Sequence, residues 1–154
     1  MLTTDEYERQ KRRVEAAITL LRSGGSRFQA IGRAYFLVHL MASYAAAKHG
    51  VTVKHEKHGR KVELDHFTHN VMPDVVKALY SGNASGRVTP GSTPGIGAGN
   101  LTERQAMRYA ELLQRDRKDV DYGPTDELEP YTEHQTDERL RWAAMIADDL
   151  RKIL

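Results

Sequence analysis

The 154-residue chain contains no cysteine. That excludes a disulfide framework, a thiol nucleophile and a cysteine-ligated zinc site, and it suits a reducing compartment. Nor is there an apolar run of 18 residues, so the sequence offers nothing to span a membrane. The opening Met1-Leu2-Thr3-Thr4-Asp5-Glu6 lacks the charged-then-apolar order of a signal peptide. The expectation is a cytoplasmic protein with no membrane partner. No internal repeat is visible, and the length fits one domain, 1–154, large enough to bury a core without staples.

Net charge is also small, +2, but the charges are unevenly placed. Lys48, Lys54, Lys57, Arg60 and Lys61 fall in one short stretch with His49, His55 and His58, against the single acid Glu56. Between Asp116 and Glu138 the balance reverses, with nine acids and two cations, Arg117 and Lys118. A basic loop beside an acidic segment could steer a phosphate-bearing ligand, or the two could be solvated surface or pair with each other.

Five segments carry helical periodicity. The first spans about 4–22, where Val14, Ala17, Ile18 and Leu21 recur on one face and Ser23-Gly24-Gly25-Ser26 stops the helix. The second spans about 26–48. Its stripe of Phe28, Ile31, Tyr35, Val38 and Ala42 is widened by Ala34, Leu37, Met41 and Tyr44, which marks the central helix. A third is expected over about 65–80, kinked or broken at Pro73. The fourth opens on a capping box, Thr102-Glu103-Arg104-Gln105, and reaches about Lys118. The fifth covers about 133–153, with Leu140, Ala143, Ala144, Ala147 and Leu150 inward. Between the second and third, residues 51–64 alternate weakly around His58-Gly59, as a short hairpin would. The expected fold is all-α, an antiparallel bundle of four to five helices.

Residues 81–100 hold six of the twelve glycines and two of the five prolines, and are expected as a flexible loop. Thr89-Pro90-Gly91 and Thr93-Pro94-Gly95 read as successive turns, and Gly95-Ile96-Gly97-Ala98-Gly99 is set aside as a phosphate cradle because it lacks both the lysine of a P-loop and the preceding strand of a dinucleotide fold.

Three constellations could carry chemistry. Arg115 to Gly123 ends the fourth helix with Arg117, whose planar fork suits phosphate, and Tyr122, which can bond to phosphate or stack on a base. The bland reading is a charged last turn. His66 and His69, with His55 and His58 upstream, have the spacing of a shared helix face, but the Glu of a zincin helix is missing, and no metal is expected. Arg33 and Tyr35 stand on the most apolar helix, where a charge must be paired, exposed or lining a site.

Order and spacing resemble the HEPN superfamily of small α-helical bundles of prokaryotic conflict systems and nucleotide-linked modules. Gly32-Arg33-Ala34-Tyr35-Phe36 resembles the Arg-x-Tyr-Tyr that opens the family's central helix. Ala45-Ala46-Ala47-Lys48-His49-Gly50 resembles that helix's small-residue end before a His- and Lys-rich loop. Arg117-Lys118-Asp119-Val120-Asp121-Tyr122 resembles the Arg-x-x-Ala-Asp-Tyr box before the last helix of one branch. The likeness covers roughly 26–154.

That resemblance implies an RNA- or nucleotide-binding protein of a toxin–antitoxin type system, acting as a homodimer, with a cognate protein partner and no cofactor. In ribonuclease members an Arg followed four to six residues later by His cleaves RNA without metal. Here the histidine's place holds Asp121 or Tyr122. With ordinary pKa values of about 3.9 and about 10, neither is an effective base near neutrality. Arg117, Asp121 and Tyr122 are the catalytic candidates; Arg33, Tyr35, Lys54, Lys57, Arg60 and Lys61 are the phosphate- or nucleic-acid-binding ones. Two further Arg-to-His spacings occur. Arg33 to His39 turns about 600° along one helix and diverges, and Arg60 to His66 crosses a loop. The rival reading is a non-catalytic antitoxin-like or adaptor module, with the Arg and Asp of the box paired internally.

Overall fold

A computed structural model describes residues 2–23, 27–64, 67–97, 99–122 and 132–154. The described elements are five α-helices, one 3-10 turn and three short strands. In chain order they are α1 (Thr4–Ser23), α2 (Arg27–Lys48), β1 (Thr52–Lys57), β2 (Arg60–Leu64), the 3-10 turn (His69–Val71), α3 (Met72–Ser81), β3 (Val88–Thr89), α4 (Glu103–Tyr122) and α5 (Glu133–Arg151). The all-α expectation is therefore corrected to a mainly helical fold with a small antiparallel sheet.

Helix α2 is the axis of the molecule, packed against α1, α3, α4 and α5. Ile31, Ala34, Tyr35, Val38, Met41 and Ala42 are all fully buried, and Leu37 is nearly so. Burying each large aliphatic side chain contributes about 1.5–3 kcal/mol, so this apolar circumference sets the core. Helix α1 is peripheral by comparison. Its Val14 and Ile18 are only partly buried against the core, and its anchor is Tyr7, stacked on Tyr44 at 4.0 Å and 8° between planes.

The sheet exists because 51–64 alternates at a two-residue period, which no helix satisfies. Strand order is β2-β1-β3, antiparallel throughout. His58 and Gly59 both take positive φ, 52° and 74°, the two-residue turn whose twist matches that of its strands. β3 pairs only with Thr52 and Val53, so the rest of the hairpin projects beyond it as a two-stranded ribbon.

Pro73 does not kink a helix. It sits in the first turn of α3, where a missing N–H costs nothing. The chain before it is the 3-10 turn, so the third helix is ten residues long and starts later than its periodicity implied. Helix α4 opens on its predicted box: Gln105 N–H donates to Thr102 Oγ1 at 3.2 Å and Thr102 N–H to Gln105 Oε1 at 3.0 Å. The same reciprocal pair, Thr132 with Gln135, opens α5. It went unread in the sequence.

The glycine- and proline-rich 81–100 segment follows a series of turns closed on the core. Ser85 and Thr93 are buried, and Ser85 donates to Asp74 at 3.1 Å. At Gly91, φ +60°, a Cβ would collide with the His49 and Gly50 carbonyls, so only glycine fits. The segment ends at Asp149 of α5, whose fully buried carboxylate accepts from Tyr80 Oη at 2.7 Å, Asn100 N–H at 2.7 Å and Leu101 N–H at 3.1 Å. Burial and this bond to Asp149 raise the Tyr80 hydroxyl well above its ordinary pKa, so it stays a donor.

Candidate functional site

Polar side chains from three elements meet beside α2. Tyr35, Phe36 and His39 come from α2, with Tyr35 and His39 one helical turn apart on one face. His69 comes from the 3-10 turn, and Phe67 from the segment just before it. Arg117 comes from α4, one turn beyond Gln114, whose amide donates to the His69 carbonyl at 2.6 Å and ties α4 to the turn.

The geometry is close. Tyr35 Oη and His69 Nδ1 are 2.5 Å apart. The rings of His39 and His69 lie 4.4 Å apart at 37°. The Arg117 guanidinium stands 5.4 Å from the ring centres of both Tyr35 and Phe36, within cation–π range. Phe67 closes the side of His39 at 5.3 Å. Tyr35 is fully buried, while Phe36, His39, Phe67, His69 and Arg117 are half-buried. The cluster has a polar floor and a partly open rim.

Protonation follows from burial. Desolvation raises the Tyr35 phenol above its ordinary pKa, with Arg117 opposing more weakly. The hydroxyl keeps its proton and pairs with Nδ1 of His69. Desolvation pushes His39 down to about 4, and His69 and Arg117 push the same way. His39 is therefore neutral near pH 7. Its Nε2 is buried and has no hydrogen-bond partner among the described residues. An anion entering here would counter the push of Arg117 and let His39 take up a proton.

The sequence candidates divide sharply. Arg117 and Tyr35 come together, although Tyr35 is buried too deeply to touch a large ligand directly. Arg33 is exposed on α2 with its guanidinium 5.8 Å from the ring centre of Phe36, the ring that Arg117 approaches at 5.4 Å, while the helix turns it away from His39. Asp121 and Tyr122 lie in the last turn of α4; their side chains are outside the described residues, as is His66. Lys54, Lys57, Arg60 and Lys61 are all exposed on the projecting ribbon and take no part in the contacts that build the cluster. Among the described residues no group of three His, Asp or Glu could hold a metal.

Reading by spacing missed His39 and His69 as companions of Arg117. His39 did carry a signal: a polar ring one turn from Tyr35 on an otherwise apolar stripe. Within the Arg115–Gly123 box, Asp116 is structural, buried and bonded to Arg139 Nε at 2.9 Å.

A second concave region separates α1 from α5. Two adjoining cavities of about 910 and 250 Å³ share Ile18, Thr19, Leu140 and Ala144. Its charged rim is occupied internally: Arg22 meets Asp137 at 2.7 Å and Arg151 meets Glu15 at 3.4 Å. It lacks the convergent imidazoles and guanidinium of the histidine cluster.

Among known proteins, no family model, no curated protein and no solved structure matches this chain.

Proposed function

We propose that the chain is a HEPN-like helical bundle that binds the phosphate of RNA or a nucleotide at the Tyr35–His39–His69–Arg117 cluster, acting as a homodimer. The observation that supports this reading is the convergence of two imidazoles and a guanidinium from three separate elements, with one buried imidazole nitrogen left unpartnered. Buried polar atoms are normally satisfied, so a vacancy beside a cation favours an anionic ligand. The chemistry open to such a cluster is metal-independent phosphoryl transfer. One imidazole takes the proton of a 2′-OH as its oxygen bonds to phosphorus. The other returns a proton to the departing 5′-oxygen, and Arg117 balances the charge that builds on the phosphorane. The relation to prokaryotic conflict systems rests on the motif resemblance.

A non-catalytic antitoxin-like or adaptor module is the second reading. It is favoured by Asp116, the residue just before the 117–122 box, which serves as an internal strut to Arg139; the Arg117–Asp121 pairing it calls for lies outside the described residues.

The test is cleavage and binding of RNA in EDTA by wild type, Arg117→Ala and His39→Ala. Binding in wild type that both variants lose supports the proposal, and cleavage lost in parallel makes the protein an enzyme. Wild-type protein that neither binds nor cleaves at low salt, where phosphate contacts are strongest, would falsify it.

A further inference from the structure

The ribbon formed by β1 and β2 has two faces of unlike charge. Side chains alternate along a strand, and directly opposed residues share a face. Lys54 opposes Glu63 and Glu56 opposes Lys61 on one face. Two cations and two acids stand within reach of each other there, and their fields cancel. On the other face Val53 opposes Leu64, His55 opposes Val62 and Lys57 opposes Arg60. That face has no acid. It is buried at its base through Val53, and beyond it Lys57 and Arg60 are exposed, with no ion pair to either among the described residues.

Charge on an exposed hairpin has an ordinary explanation, since it keeps an edge strand from pairing with another chain. That accounts for charge on the ribbon but not for its sorting. Two cations directly across from one another destabilise a hairpin, whereas the opposite face shows this same register pairing unlike charges. The ribbon also stands clear of β3, and β2 leads within five positions from Leu64 to His69 of the histidine cluster.

We infer that the His55–Lys57–Arg60 face of the ribbon is an RNA-backbone docking surface that holds the strand whose phosphate enters the histidine cluster; this rests on the functional reading above. The recognised chemistry is the phosphate repeat, because the face offers two cations, the His55 imidazole and one exposed valine, and no Phe, Tyr or Trp platform for bases. An anionic membrane is disfavoured, since beyond half-buried Leu64 at its base the ribbon has no bulky apolar side chain to insert.

The experiment measures anisotropy of fluorescein-labelled oligouridine against salt for wild type, Lys57→Ala/Arg60→Ala and Lys54→Ala/Lys61→Ala. The two doubles remove the same net charge from surface positions. The first is expected to weaken binding about tenfold at low salt and to flatten the log–log salt slope by about 1.4, the share of two phosphate contacts. The second should stay within about twofold. Equal losses in the two doubles would overturn the face assignment. Loss in Arg117→Ala with none in Lys57→Ala/Arg60→Ala would overturn the docking surface while leaving the cluster as the binding site. Wild type that ignores oligouridine but binds pure phosphatidylserine vesicles would remove both.

Discussion

Two buried polar clusters of this molecule invite comparison. Around Asp149, a fully buried carboxylate receives three donors, from Tyr80, Asn100 and Leu101. Around His39, an imidazole nitrogen of similar burial receives none among the described residues. Both clusters join elements distant in sequence, and both contain a buried tyrosine hydroxyl held protonated. The difference is closure. A satisfied network fixes one arrangement of backbone, while an unsatisfied one leaves free energy to be recovered when a ligand arrives. The first cluster is architecture, and the second is the site proposed above for a ligand.

The comparison breaks most visibly at Asp149. Replacing it with alanine orphans three donors and should cost about 3–5 kcal/mol, read from the urea midpoint. A loss below about 1 kcal/mol would mean the clamp is not structural. Arg139→Ala leaves Asp116 buried beside α5 without its 2.9 Å donor, and a loss of about 3 kcal/mol is expected in the same assay.

Smaller effects test the other cluster. His39 titrates at about 4 in the folded protein and near 6.5 when unfolded. Below pH 6.5 the unfolded chain binds more protons, so stability is full above that pH and falls as pH drops towards 4. The His39 share is about 2–3 kcal/mol. It is isolated by comparing wild type with His39→Leu, in which this part of the acid loss should vanish. At pH 7.5 His39→Leu should be neutral or more stable by about 1 kcal/mol, because it removes an unpaired buried nitrogen. The same variant should lose RNA binding. A stabilised variant that still binds would place the ligand elsewhere.

Much of the scaffold was legible along the chain. The stripe from Ile31 to Ala42 announced the central helix because a 3.6-residue period leaves no other way to bury it. The box at Thr102–Gln105 and the His58-Gly59 turn were equally local signals. Pro73 was informative in part: of the expected kink or break there is no kink, but the preceding residues turn as a 3-10 segment and α3 starts just before the proline, where its missing N–H is harmless. The candidate site was legible only in part. Arg117 and Tyr35 were singled out separately, and His39 was measured against Arg33 on its own helix, where the geometry keeps them apart.

The sequence by itself determined which faces must be buried, since periodicity, caps and turn residues act through neighbours a few positions away. Only the tertiary structure decided that Arg117, His39 and His69 meet. Their separation along the chain carries no distance information; packing α4 and the 3-10 turn against one buried Tyr35 does.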